Sequence, residues 1–400
     1  MAVINRQLEI RFPNGDRDTI TANNIVAESM TLTRSICDDN LKLGGCIASC
    51  FELELIGISP YTIDGKRIQA VLLEYTDEEA VTLIPSDILF PTDDLHPGRT
   101  TGEPIETPLF TGTIDSAIRQ KNRQIIKITA YDDIYTIMQM NVYTWLSQRA
   151  YYASGELLAT IIENLFEVPL QDRIPYLTRW QGTDVNNNYN TVTNLSNALV
   201  KVNYNSSVIA SEVLRSANEL MGVFGYITGS GRYTTISLEK SKTYNIDTFV
   251  DLEFEEYKTA EIDIVSFTYN GGERFNMARP SKTNCCYLSE DNVIINCTAN
   301  RDSVKTLVTK LTQGVGGIAD GSCYMYTPFT LTLYKDMIPT GIGLGSRVHI
   351  NTGSTAQDDI KSIDSIIFAE KITGIQALKY EFSATGDKIL GGCDTLAGSD

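Results

Sequence analysis

Acid–base and nucleophilic chemistry at neutral pH draws first on histidine, and this 400-residue chain holds only His96 and His349. His96 stands in a Pro-Gly loop and His349 inside an alternating run, and neither belongs to a nucleophile or metal motif, so both read as structural. The sequence has no His-Glu-x-x-His, and no Gly-x-Ser-x-Gly elbow lies between a strand and a helix. Of eight cysteines (Cys37, Cys46, Cys50, Cys285, Cys286, Cys297, Cys323, Cys393), the spacing nearest a metal site is Cys46-x-x-x-Cys50 with Cys37 upstream. No fourth ligand is near them, so small buried thiols are the simpler reading. Gly314-Val-Gly-Gly-Ile and Gly341-Ile-Gly-Leu-Gly345 imitate parts of a dinucleotide loop but open no helix after a strand, and read as turns. The acidic pairs Asp38-Asp39, Asp93-Asp94, Asp132-Asp133 and Glu255-Glu256 could supply two carboxylates for glycoside hydrolysis. Neighbours on a strand point to opposite faces, however, and solvated surface is expected for each. The tyrosines, with Trp145 and Trp180, could form sugar platforms, although core packing explains them more simply. The sequence therefore assigns no catalytic, cofactor-binding or metal-ligating residue; the chain is expected to be neither an enzyme nor a cofactor protein.

Thirty-three Lys and Arg oppose fifty Asp and Glu, a formal charge of −17. That sign disfavours an extended grip on phosphates and would repel an anionic membrane, but suits a duct through which DNA slides. With 42% hydrophobic residues, 20 Tyr and 13 Phe, the chain can bury a large core. Its length suits roughly two to four domains. Cysteine is too sparse for a disulfide scaffold. No stretch reaches the roughly 18–20 apolar residues of a membrane span. The alternating start, Met1 to Glu9, reads as a strand rather than a signal peptide, which implies synthesis in a cytoplasm.

The elements that would position any site divide by hydrophobic period. Alternation predicts strands at Gln7–Phe12, Thr19–Ile20, Cys50–Ile56, Lys66–Tyr75, Ala80–Ile84, Leu109–Ile114 and Gln124–Ala130, punctuated by Asn14-Gly15, Asp64-Gly65 and Pro97-Gly98. Helices are expected over Tyr131–Met140, Ser154–Phe166 with a Ser N-cap, and Val208–Met221. A polar loop, Asp184–Asn190, separates the last two. Phe224–Leu238 reads as a hairpin around Gly229-Ser230-Gly231. Strands return at Ile262–Tyr269, Asn292–Asn296, Phe329–Tyr334, Arg347–Ile350, Ser365–Lys371 and Lys379–Thr385, with one helix at Arg301–Leu311. The expected fold class is mainly β with a helical insert (α+β). Its domains are a first β-barrel over 1–130, a helical middle over 131–225, a second barrel-like domain over 226–390 and a flexible tail over 391–400.

The segment Glu28–Leu55, with Leu32-Thr33-Arg34-Ser35 leading through a polar loop to Cys46-Ile-Ala-Ser49, resembles the N-terminal barrel of phage tail hub proteins, especially those of Firmicutes phages and tail-associated lysins. Leu109–Ala117 and Gln124–Tyr135 are similar to that family's exit from the barrel. Leu252–Ile262, Tyr326–Leu333, Gly345–Ile350 and Thr373–Gly386 resemble its later segments. The matches are scattered from Glu28 to Gly386.

The resemblance implies two related β-barrel domains per chain, so that a homotrimer makes a sixfold-compatible ring around the DNA channel. One side would meet the tail tube or distal tail protein, the other a threefold spike, fibre or lysin, with the tape-measure protein a further partner. It implies a virion component of the tail, made in the bacterial cytoplasm, with no sequence-specific nucleic acid and no membrane anchor. Many relatives continue into a hydrolase domain; this chain stops at Asp400, which places any lytic activity elsewhere. A receptor- or carbohydrate-binding tail module is the alternative, and a cell-wall hydrolase the less favoured one.

Overall fold

The computed structural model describes residues 3–15, 18–76, 103–121, 124–148, 156–157, 165, 199–200, 202, 205–238, 242–260, 262, 264–269, 273–278, 286–289, 292–295, 324–353 and 360–388. The first third contributes β1 (Val3–Arg11), β2 (Thr31–Ser35), β3 (Cys50–Ile56), β4 (Arg67–Thr76), β5 (Ile105–Arg119) and β6 (Ile125–Tyr131). The middle adds α1 (Asp133–Ile137), α2 (Tyr143–Ser147), the short strands β7 (Glu156–Leu157) and β8 (Leu199–Val200), and α3 (Ala210–Met221). Then come β9 (Phe224–Ile227), β10 (Tyr233–Ile236), β11 (Thr243–Ile246), β12 (Asp251–Phe254), β13 (Ile264–Tyr269), β14 (Glu273–Ala278) and β15 (Cys286–Ser289). The chain finishes with β16 (Phe329–Tyr334), β17 (Arg347–Asn351), β18 (Ser362–Ile366), β19 (Ala369–Thr373) and β20 (Lys379–Ala384). The protein is mainly β with a small helical part, as its alternating composition implies.

Ten strands from both ends of the chain form one sheet, in the order β1-β4-β5-β6-β3-β2-β19-β20-β16-β12. Here the structure departs from the expected pair of barrels. Among the described residues no barrel closes; β2 of the first segment pairs with β19 of the last, Leu32 opposite Ile372. Smaller sheets, β11-β17-β18 and β14-β13-β15, and the hairpin β9-β10 stand beside it. No described helix is long and apolar enough to cross a membrane.

Alternation turns one face of the large sheet onto two cores. The first gathers Leu8, Ile10, Leu32, Phe51, Leu53, Ile68, Phe110 and Ile128 with Ile372, Ile375 and Leu378 from the far end of the chain. Phe51 and Phe110 stack there with ring centroids 5.1 Å apart. The second packs α3, through Val213, Leu214, Ala217 and Leu220, against Phe224, Tyr326, Leu331, Phe368 and Phe382. Each such side chain contributes about 1.5–3 kcal/mol on burial, so the C-terminal strands are bound to the N-terminal ones by packing as well as by pairing.

Several local expectations changed. The helix expected from Tyr131 starts at Asp133, because Tyr131 is held in the ladder opposite Cys50 and Thr113. The helix expected over Ser154–Phe166 is interrupted at its start: Glu156 and Leu157 pair with Val200 and Leu199. Leu165 is helical and buried, and the rest of that segment lies outside the described residues. Asn292–Asn296 is not a strand over its described part. Asn292 Oδ1 accepts the amides of Ile294 (3.0 Å) and Ile295 (2.9 Å), an Asx turn that satisfies the backbone locally. The run Ser365–Lys371 is split: Ser365 and Ile366 belong to β18, while Ile367 and Phe368 carry the chain across to β19 in the large sheet. The expected strand Ala80–Ile84, the loop Asp184–Asn190 and the helix Arg301–Leu311 lie outside the described residues.

The Val208–Met221 and Phe224–Leu238 expectations hold closely. Glu212 accepts the Ile209 amide at 3.0 Å at the start of α3, and Gly222, at φ +70°, closes it in the left-handed region. The β9-β10 turn seats on β5, where Thr111 Oγ1 donates to the Gly229 carbonyl at 2.7 Å.

Candidate functional surface

The register of the large sheet places polar residues rung after rung on the face away from the cores. Thr31 stands opposite Glu52, which stands opposite Thr129, and Glu54 lies opposite Lys127. In the other direction Thr33 faces Lys371 and Thr31 faces Thr373; Lys371 then faces Glu381, and Thr373 faces Lys379. The series ends with Glu381 opposite Thr332, Thr332 opposite Asp251 and Thr330 opposite Glu253. Period two alone demands this segregation once the alternate residues are committed to the cores. Carboxylates and ammoniums are interleaved with hydroxyls, and Lys127 is held by Glu52 at 2.7 Å. A surface of this kind is wetted and presents no run of cations to grip phosphates. At its margin Tyr131 and Tyr135 stack, centroids 4.6 Å apart.

Three buried ionic groups hold the sheet in shape. Arg34 on β2 lies opposite Glu370 on β19, 3.6 Å apart, and donates to the Leu109 carbonyl of β5. The pair sits between Leu32 and Ile372 of the first core and Ile36 and Phe368 of the second. Burial pushes the Glu370 carboxyl up, and Arg34 opposes the shift. Glu74 on β4 binds Arg6 at 2.9 Å and also Lys335; burial works against its ionisation, but these hydrogen bonds keep its carboxyl below the ordinary range. Arg67 and Asp133 form a bidentate pair at 2.6 and 2.7 Å.

Asp132 and Asp133 correct the expectation of a solvated surface: both are 2% exposed. Asp132 caps α1, accepting the amides of Ile134 at 3.0 Å and Ser49 at 2.9 Å. Burial lifts its carboxyl from near 3.8 to about 7; the Ser49 and Ile134 hydrogen bonds resist the rise, and the Asp133 charge adds to it. The folded state thus holds the proton more tightly than the unfolded chain. Its contribution to stability is greatest below pH about 4 and is lost as pH rises to about 7. The steepest fall is about 1.4 kcal/mol per pH unit. Melting temperature measured against pH is expected to lose this component in Asp132→Asn; an unaltered profile would show that Asp132 does not titrate there.

The other candidates are dispersed. Cys37 and Cys46 are buried free thiols; burial pushes Cys37 up to about 12 and raises Cys46 well above the ordinary range. Cys46 contacts Tyr233, whereas half-buried Cys50 meets Tyr131. Cys286 lies in β15; Cys285, Cys297, Cys323, Cys393, His96, Asp93, Asp94, Trp180 and the Gly314 segment fall outside the described residues. His349 Nδ1 meets Asp364 at 2.8 Å across β17 and β18, and Lys258 holds the same carboxylate at 2.9 Å. The His349 hydrogen bond, with Lys258, keeps Asp364 below its ordinary pKa. Asp38, Asp39, Glu255 and Glu256 are exposed, Gly341 and Gly345 take turn conformations, and Trp145 packs half-buried against the second core. The described residues bring none of these into a shared site. What sequence reading missed is the polar face, whose signal was present in the alternating threonines and charges of β2, β3, β19 and β20.

Two solved structures share this fold. A tail protein from Neisseria meningitidis MC58 matches with a TM-score of 0.53 at 10% identity, over 96% of this chain and 98% of its own. The 43 kDa tail protein of prophage MuSo2 from Shewanella oneidensis matches with 0.51 at 10% identity, over 95% and 97%. No protein-family model and no curated protein sequence matches the chain. The architecture, over nearly its whole length, is the one these two tail proteins adopt.

Proposed function

We propose that this chain is a structural protein of a phage tail or tail-like particle, a baseplate hub or tail-tip adaptor of the kind its sequence resembles in Firmicutes phages. The observation that carries the reading is the ten-stranded sheet. Its polar face draws on both ends of the chain, within a fold shared end to end with two tail proteins. Segments 1–130 and 226–390 then act as the two β units, and 131–225 as the helical unit beside them. Three copies would present six β units to a sixfold tube and a threefold surface to a spike, fibre or lysin. The interleaved charges and hydroxyls would line the passage, letting DNA move without capture. The role is structural rather than catalytic, and its place is the virion tail.

Mass photometry with negative-stain imaging of the purified chain tests this. A trimer enclosing an opening wide enough for duplex DNA is the expected result. A compact monomer at high concentration, with intact particles after deletion of its gene, would overturn it.

A further inference from the structure

The first six strands of the large sheet run β1-β4-β5-β6-β3-β2, so β1 and β2 are the two ends of the N-terminal run. Both ends are held by one short turn from the far end of the chain, residues 374–377 between β19 and β20. On the β2 side the Gly374 amide donates to the Met30 carbonyl at 3.0 Å. Glu28 takes the next two amides: Oε2 accepts from Ile375 and Oε1 from Gln376, each at 2.9 Å. On the β1 side the Arg6 amide donates to Gln376 Oε1 at 2.9 Å, and Arg6 Nη1 donates to the Gln376 carbonyl at 3.2 Å. Ile375 is the turn's apolar anchor in the first core, whereas Gln376 and Ala377 are exposed.

The catch on this turn is strained. Among the described residues Glu28 is the one non-glycine at positive φ, +55°. A residue with a Cβ enters the left-handed region at a cost, and such outliers persist only where surrounding contacts hold them. Glu28 is exposed, so burial does not enforce its conformation; the bonds that the conformation serves are those to the turn. The turn is fitted to it in return. Gly374 takes φ +82°, and a Cβ there would stand 2.5 Å from Glu28 Oε2.

We propose that residues 374–377 form a strap that opens and closes across the two ends of the N-terminal strands, with Glu28 as its strained catch. Closed, the strap ties β1 to the segment that leads into β2. Open, it frees the amides of Gly374, Ile375 and Gln376 and lets Glu28 relax to negative φ, while β2 stays paired with β19. Displacement of the β19-β20 turn thereby reaches β1 without unpairing the sheet. A single apolar anchor, polar hooks at exposed positions and strain that opening relieves together make a unit that opens by itself. The strap belongs to this chain whichever assembly it enters.

Hydrogen exchange on the full chain, resolved by residue across a series of low urea concentrations, is the test. The amides of Gly374, Ile375 and Gln376 are expected to exchange faster than those of residues 51–55 in β3, at rates that urea does not change, as a local opening requires. Glu28→Ala removes both acceptors and keeps the left-handed cost; it is expected to speed exchange at the three amides about tenfold and to leave residues 51–55 unchanged. Glu28→Gly also removes the acceptors but relieves the backbone, and its acceleration is expected to fall short of that of alanine. The proposal is overturned if the three amides follow urea with the slope of β3, because the turn then opens only with the whole fold. It is also overturned if Glu28→Ala leaves their exchange at the wild-type rate, or if Glu28→Gly accelerates it as much as alanine does, since the catch then stores no strain. The wild-type urea series decides the first point without either variant.

Discussion

Asp133→Asn is expected to destabilise the protein by about 3–5 kcal/mol, among the largest single effects available in this chain. Arg67 Nη1 and Nη2 each meet one Asp133 oxygen, at 2.6 and 2.7 Å, and the two side chains are 8% and 3% exposed. An amide keeps the shape of the carboxylate but removes its charge, leaving a guanidinium in a site that excludes water. The desolvation cost of that cation then loses the carboxylate charge that offsets it. The pair ties β4 to the first turn of α1, so its loss loosens the junction between the sheet and the helical segment. Arg67→Met with Asp133→Leu removes both charges and is expected to recover much of the loss, so that the double variant is more stable than Asp133→Asn. Urea midpoints followed by tryptophan fluorescence measure all three. A midpoint for Asp133→Asn close to wild type would mean that solvent reaches the pair.

The second large effect is steric. A Cβ on Gly229 would lie 1.9 Å from the Pro108 carbonyl oxygen and 2.7 Å from its carbon, contacts with backbone that no rotamer relieves. Gly229→Ala is expected to cost about 3 kcal/mol or more and to lift the β9-β10 hairpin off β5. Hydrogen exchange should then lose protection across Tyr233–Ile236 while the amides of Phe51–Leu55 keep theirs. Gly65 is the control: its φ is +70° and a Cβ there meets nothing within 4 Å, so Gly65→Ala carries only the left-handed backbone cost of about 1–2 kcal/mol. Equal losses in the two variants would remove the steric account of Gly229.

The local chemistry of the chain made most of the strands legible. Cys50–Ile56 alternates so regularly that β3 coincides with its expected bounds, and α3 follows from its apolar face and the glycine after it. Failures fell where a distant partner outweighs local preference. Tyr131 carries helical signals yet remains in the ladder because Cys50 and Thr113 are there to pair with it. Asp132 and Asp133 look like surface until Ser49 and Arg67 are brought to them from residues far upstream. Ser365–Lys371 has the composition of one strand, and only the separation of two sheets breaks it at Ile367 and Phe368.

By itself the sequence determined the β character of the ends, the position of α3 and its hairpin, and a charge balance unsuited to holding phosphates, because each depends on side-chain type and near neighbours. It also resembled tail hubs in scattered segments. Tertiary structure alone decided that β2 would pair with β19 and that the ends of the chain would share one ten-stranded sheet. Strand pairing is a contact between residues some hundreds of positions apart, selected by the cores that both strands must cover, and period two carries no record of which partner that will be.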